Sequence, residues 1–430
     1  MGKIELDHTG AGSGITLSSD GTDLLLNGTA IGGGGTALEL YAENPSSPTA
    51  PSATGANSVA IGESVTSSGT NSFAAGSFTT ASGDNSVAIS GSVSGLYPAS
   101  AQGAGSIVVG NNASSNTLAT SSLALGSQAV TAGTRATALT KSYASGTGSF
   151  AAAIGNNTSS YGATGASSVA IGYQARTTTN YGVAIGYLAK CTAGDIATAI
   201  GPVSTASGWY SSAIGGLSLT ASQTHASAIG GGSNTASSTY ATVIGGGLNT
   251  SSSPYSIVTG GRNNTANAQY SRVGGYYSTS QGVEGKDAWA SGRFSAQGDA
   301  QTGTFVLRSD TTDATPEALT TNNSTAGTTN QVILPNNSAY AFHGTIVARE
   351  QASAGTDCAA WKIEGLIRRE GSAGTTVLVN SATTVLDNTP AWGMALSADT
   401  TNGGLKIEVT GAAATNIRWV ATINTSEVTY

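Results

Sequence analysis

Charge is scarce in this 430-residue chain: Asp, Glu, Lys and Arg make up 9% of it, against about 25% in an ordinary soluble protein. The net charge of −7 leaves no basic surface for nucleic acid or an anionic membrane, so neither is expected as a partner. The two cysteines, Cys191 and Cys358, lie far apart in sequence and are expected to stay unpaired, which excludes a disulfide framework. No run of 18 or more apolar residues occurs, and the opening MGKIELDHTGAGSG lacks an apolar signal-peptide core, so neither a bilayer span nor export is expected. The three histidines, His8, His225 and His343, are remote from one another. No Cys/His group has metal-ligand spacing, so no metal or other cofactor is expected. The glycine runs IGGGGT and IGGGSN lack the lysine and the strand-to-helix setting of a phosphate loop, and no nucleophile elbow is present. Glu284, Asp287 and Asp299 form an acidic cluster that reads as a solvated junction rather than as paired catalytic carboxylates. A chain without enzymatic activity is expected.

What is present is glycine, 60 residues of it, and a beat. A pentad of the form Ser58-Val59-Ala60-Ile61-Gly62 returns as Ser72-Phe73-Ala74-Ala75-Gly76 and Ser86-Val87-Ala88-Ile89-Ser90. It ends at sixteen positions between 62 and 292, at intervals of 14 to 17 residues with one gap of 20. Its middle residue is always Ala or Val, including Ala153 and Ala290. A disordered linker keeps no such rhythm, whereas a chain that stacks turn upon turn does. Fifteen or so residues accommodate two strands and two bends, and the 3.6-residue period is absent, so the repeat predicts a narrow parallel β-coil. Alternation along a strand puts Val59 and Ile61 on one face and Ser58, Ala60 and Gly62 on the other. The large face is expected to fill the coil. The small face is expected to admit a second backbone, and with it the association of three chains. Sixteen turns at strand spacing would extend roughly 75 Å.

Two ladders run through the later turns. The residue before the pentad is Asn57, Asn71 and Asn85 early on, and Tyr210, His225, Tyr240, Tyr255 and Tyr270 later. The slot shares the large face, and the neighbouring Val position shrinks to Ser212, Ser227 and Thr242, so an aromatic ladder inside the coil is expected. An outward sugar-binding platform is the alternative. Asn234, Asn249 and Asn264 recur at intervals of fifteen and predict amides hydrogen-bonded from turn to turn.

The division expected is 1–36 as a small attachment element of strands, 37–56 as a proline-containing linker, 57–292 as the coil, 293–303 as a neck, and 304–430 as a tip. The tip carries long alternating runs such as AAWKIEGLIRRE and NIRWVATI and predicts an antiparallel β-sandwich. Trp361 and Trp419 are expected in its core. Trp392, at a strand start after Pro390, is expected to be partly exposed. With Arg349, Arg368 and Arg369 it forms the candidate receptor-binding set, since binding energy concentrates in aromatic and Arg anchors.

SVAIG at 58–62 and 168–172, with TASG half a turn after the second pentad, resembles the head repeat of trimeric autotransporter adhesins. That resemblance covers about 57–292 and implies a left-handed parallel β-roll that trimerises. The export signal and membrane-anchor barrel of that family are not found. The opening and the FVLRSDTTDATPEAL…NQVILPNNSAYAFHGTIVARE stretch are similar instead to fibre proteins of marine bacteriophages. This implies a homotrimeric virion fibre, made in the host cytoplasm. Its N-terminus would sit on a tail or capsid protein, and its C-terminus on a host surface polysaccharide or outer-membrane protein. A capsid-attached head fibre or decoration protein, a polysaccharide-cleaving tailspike and a bacterial adhesin are the competing readings.

Overall fold

The computed structural model describes residues 4–6, 15–19, 24–26 and 29–31 as strands, and then 49–92, 95–155, 160–351, 357–388 and 390–430. Among these residues the chain is all-β, a parallel β-solenoid of about 16 turns with antiparallel sheet at the C-terminal end. A single 3-10 turn lies at Ala373–Thr375. The linker assigned to 37–56 lies outside the described residues up to 48. The chain forms two compact units, Met1–Ser121 and Ser122–Tyr430.

The first unit opens with a four-stranded antiparallel meander, in which Ile4 faces Leu17, Leu17 faces Leu26 and Leu24 faces Ile31. Its solenoid turns stack the pentad strands Val59–Glu63, Phe73–Ser77, Val87–Gly91 and Ile107–Val109 in parallel, with Ala60, Ala74, Ala88 and Val108 in one column. Two-residue strands such as Thr66–Ser67 and Thr80–Ala81 stack as a second sheet. In the second unit the same pair of sheets runs from Leu123–Leu125 to Asp287–Ala290 and from Val130–Thr131 to Thr265–Ala266.

Each turn closes through two left-handed corners. One is the residue before the pentad, as at Asn57, Asn71 and Asn85 (φ 57°, 56° and 54°) and Tyr240 and Tyr255 (φ 57° each). The other follows the pentad, as at Ser64, Ser218 and Ser233. The pentad serine locks its corner: Ser72 Oγ donates to Gly69 O at 2.6 Å, Ser168 Oγ to Gly165 O at 2.6 Å, and Ser211 Oγ to Gly208 O at 2.7 Å. The glycine of TASG is a close-approach position. A Cβ on Gly83 would lie 2.4 Å from the carbonyl oxygen of Gly103 one turn on.

The two faces of the pentad are the reverse of the expectation. Ala88 and Ala228 are fully buried, while Ile89 and Ile229 are 40% and 44% exposed. The middle residue of the pentad, Ala or Val, fills the coil, because the two sheets stand close together across it. The aliphatic residues point outward. Two pentads are also displaced by two residues. Ala151, not Ala153, aligns with Ala170, and Ala288, not Ala290, aligns with Val273. Ala153 is itself a left-handed corner (φ 55°).

Strand Asp287–Ala290 is parallel to Arg272–Gly275 on one side and antiparallel to Ala300–Thr311 on the other. The coil sheet thereby passes into the large C-terminal sheet, whose strands follow in the spatial order Ala300–Thr311, Ile417–Thr429, Ser338–Glu350, Cys358–Arg369 and Val377–Asn388, all antiparallel. A second sheet is built around Gly404–Thr410, which pairs with Gly393–Asp399, Glu317–Ala318 and Val332–Ile333. Phe305, Ile346, Trp361 and Trp419 of the large sheet share one core with Val332, Leu405 and Ile407 of the small one. This is the β-sandwich that the alternating runs predict.

Candidate functional site

Local geometry separates the two ladders. Asn234, Asn249 and Asn264 are fully buried. Each amide oxygen accepts from the backbone of the next turn: Asn249 N–H at 3.1 Å, Asn264 N–H at 3.0 Å and Ser278 N–H at 2.8 Å. Their Nδ2 groups donate to glycine carbonyls, Asn249 to Gly245 O at 3.2 Å and Gly261 O at 2.9 Å. The bonds run from amide to backbone rather than from amide to amide. A true amide ladder exists in the first unit, where Asn57 Nδ2 donates to Asn71 Oδ1 at 3.1 Å and Asn71 Nδ2 to Asn85 Oδ1 at 3.2 Å.

The aromatic ladder is on the surface, not inside the coil. Tyr210, His225, Tyr240, Tyr255 and Tyr270 stack with centroids 4.9, 4.6, 4.9 and 5.3 Å apart and planes within 20°. Tyr240 is 43% exposed and Tyr270 56%. A left-handed corner on the outside of each turn aims its side chain away from the coil. Within the stack each ring face is covered by the next ring, so the stack offers mainly ring edges and phenolic hydroxyls to solvent. A sugar stacking flat along it has no faces to use.

The receptor-binding set is not assembled. Trp392 is buried, not exposed: its ring centroid lies 5.8 Å from that of Trp419. Asn388 brackets its backbone, accepting from Trp392 N–H at 2.9 Å and donating to Trp392 O at 2.8 Å. Arg349 is exposed at one end of the large sheet, across from Cys358 and Arg418. Arg368 and Arg369 lie at the other end, beside Ser338 and Ala339. Arg368 pairs with Glu370 at 2.7 Å, and Arg369 donates to Leu334 O at 2.7 Å. The acidic cluster is likewise dispersed into local roles. Asp287 pairs with Arg272. Glu284 accepts from Asn322 Nδ2 at 2.9 Å. Asp299 accepts the N–H groups of Phe294, Ser295 and Ala296 at 2.9, 2.6 and 2.7 Å. Burial opposes the charge on Asp299, but these bonds outweigh it and hold the carboxyl below its usual range. Both cysteines are free. Cys191 replaces alanine inside the coil, and burial pushes its thiol up to about 12 despite backbone hydrogen bonds.

Three features escaped the sequence reading. A trough of about 530 Å³ on the outer face of the large sheet is lined by Trp289, Ala300, Ala339, Ala341, Leu366 and Val428 among others. A cavity of about 630 Å³ brings Asp310, Glu317 and Glu408 together with Lys406. Ser309 Oγ donates to Glu317 at 2.8 Å, Asn323 Nδ2 to Asp310 at 2.8 Å, and Lys406 pairs with Glu408. Finally, the coil meets the sandwich over a buried ion pair, Lys286 Nζ to Glu427 Oε2 at 2.7 Å, with both side chains fully buried. Gln281 Oε1 accepts from Lys286 Nζ and from Tyr340 Oη, both at 2.7 Å, and Gln301 Nε2 donates to Glu427 at 2.8 Å. Burial lowers the Lys286 pKa against the opposing pull of Glu427, and raises that of Tyr340. Lys286 and Glu427 are 141 positions apart in sequence, so no local pattern contains the pair.

Comparison with known proteins gives the repeat a name. The YadA head domain repeat matches at residues 67–89, 119–139, 163–189 and 194–218. Among solved structures, the chain is similar to the tailspike protein gp49 of Acinetobacter baumannii bacteriophage Fri1, described as a capsular polysaccharide depolymerase. Identity is 11% and the TM-score 0.23, over 84% of this chain and 63% of that one. It is also similar to the tailspike protein of Acinetobacter baumannii phage AM24, at 9% identity and TM-score 0.16, over 91% of this chain and 75% of that one. No curated protein matches the chain in sequence. The expectation of a chain without enzymatic activity is corrected here: the tailspike protein gp49 in this comparison is described as a capsular polysaccharide depolymerase. In the four matched segments the parallel β-solenoid of this chain is similar to the YadA head domain repeat.

Proposed function

We propose that the chain is a phage fibre that mediates adhesion to a bacterial surface as a homotrimer. The carrying observation is the coincidence of the YadA head repeat matches with solenoid turns whose Val and Ile residues face outward. Those residues form an apolar row in each unit, of the kind that marks an association surface. A mate with the same turn-to-turn rise keeps register along the row, and a second copy of this chain is such a mate. In this reading the N-terminal meander is the virion attachment element, on tail or capsid, and the C-terminal sandwich faces the host polysaccharide or outer-membrane protein. Native mass spectrometry is expected to give three chains of 42.1 kDa each. Labelled protein is expected to bind bacterial cells, and an antibody against it to decorate virion fibres. A monomer that binds no cells would sink the reading.

A second reading is favoured by the cavity that holds Asp310, Glu317 and Glu408. Carboxylates that share a cavity are the raw material of glycan cleavage. Incubation with capsular polysaccharide tests it: shortened products that disappear with Glu317→Gln support cleavage, and intact polymer overturns it.

A further inference from the structure

Resting on the self-association just proposed, we infer that Phe294 of one copy inserts into the Trp289 trough of the next, so that the copies interlock head to tail where the coil meets the sandwich.

The knob is built. Phe294 is 80% exposed, yet its loop is held on every side. Asp299 gathers three successive N–H groups from Phe294 to Ala296. Gln297 Nε2 donates to Asn263 O, Thr265 Oγ1 and Ser278 O at 2.6, 3.0 and 2.9 Å. The Arg293 guanidinium lies 3.7 Å from the Tyr277 ring centroid. A large apolar side chain on a rigid loop loses little entropy on docking, as interface anchors require.

The socket is built too. Trp289 occupies the outward Ile position of the last pentad, 59% exposed, and its ring lies over Gly274, where a Cβ would come within 2.8 Å of it. Ala300, Ala339 and Ala341 line the trough beside it, and about 530 Å³ exceeds what one phenyl ring needs. Glu427 also lines it, but its carboxylate is engaged by Lys286. Beyond Ile229 and Ile244 the outward column passes through Thr259 and Gly274 to Trp289, whose ring covers Gly274, so the trough lies on the same outer face of the pentad sheet on which a second copy is proposed to sit.

The occupant follows from placement. The knob loop is tied to Thr265 of the two-residue sheet, whereas Trp289 projects from the outer face of the pentad sheet. Knob and socket on different faces pair head to tail, which closes a ring of copies when the rotation allows.

The test uses the full chain carrying Cys358→Ser, to remove the exposed native thiol. Phe294→Cys combined with Ala341→Cys is expected to give disulfide-linked dimers and trimers on oxidation, and neither substitution alone does so. Phe294→Ser is expected to raise the concentration of half-dissociation at least tenfold, and adding Trp289→Ala to raise it little further. A native trimer without the cross-link, or effects of the two substitutions that multiply, would overturn the interlock while leaving self-association standing. A native monomer would overturn both.

Discussion

Within the second unit, the coil up to Ala290 and the sandwich beyond Ala300 are cores of opposite construction. The coil buries mostly alanine, serine and threonine, with a column of valines in its later turns, and most of its aromatic and isoleucine side chains face out. The sandwich buries Trp419, Tyr340, Phe305 and Ile363. The coil is therefore held by backbone hydrogen bonds between turns and by small side chains that let the sheets approach. The sandwich is held by apolar volume. A hydrophobic-core argument applies to the second and fails for the first, because the residues that look like core in the pentad are its surface.

Substitutions of opposite size should break the two regions. Trp419→Ala removes a ring stacked on Trp361 at 5.7 Å and should destabilise the sandwich by about 3–5 kcal/mol. Ala228→Leu, harmless in volume terms to the sandwich, should cost the coil about 1–3 kcal/mol or more by overpacking. Thermal melts of each variant check the pair, and equal tolerance of both would contradict the contrast.

At the seam between the regions, Lys286→Met alone strands the Glu427 carboxylate and should cost about 3–5 kcal/mol. Lys286→Met with Glu427→Leu should recover most of it, as read by denaturant titration. A double variant as poor as the single one would show that the pair itself, rather than its desolvation balance, joins coil to sandwich.

Asn249→Ala leaves the Asn264 N–H without its acceptor and should cost about 1–3 kcal/mol, seen as faster hydrogen exchange at Asn264 than in the turns on either side. The Asp299 loop responds to acid. Its folded carboxyl lies below the usual 3.8, so its contribution is complete above the unfolded value and is lost as pH falls through the folded one. Amide protection at Ser295 and Ala296 should follow that course, and Asp299→Asn should abolish the dependence. The smallest effect on folding is expected for Ile229→Ser on the outward row, about 0.5 kcal/mol or less for a surface site. Unchanged assembly in that variant would count against the apolar row as an interface.

The beat of the pentad made the parallel coil legible, and period-2 alternation in NIRWVATI made the sandwich legible. The orientation of the coil was not, because alternation names two faces without saying which is inside. Asn57, Asn71 and Asn85 held the missing signal: asparagine tolerates left-handed backbone, so its recurrence before the pentad marks a corner on the outside of the turn. Reading the slot as a corner would have sent Tyr240 and Tyr255 outward as well. The displaced pentads have a similar cause, since AAAIG at 151–155 offers alanine at three successive positions and only pairing with Ala170 fixes which is buried. Trp392 was misjudged because proline and alanine before it suggest a loop, whereas the Asn388 bracket folds that loop back over the core. The Phe294 knob, the Trp289 trough and the carboxylate cavity gather residues from distant strands, which no local pattern contains.

The left-handed corners set a rule for how such a chain can change length. Each turn needs both corners, and side chains alternate along the pentad strand between them, so a one-residue insertion within that strand turns the buried alanine or valine outward and the isoleucine inward. Loss or gain of a complete turn leaves every neighbour contact of the same kind as before. Length in this region is thus quantised. Inheritance can edit it in cassettes of about fifteen residues, at a rise of about 4.8 Å each, and the insertion that stretches one interval to 20 residues has to be carried outside the stacked strands.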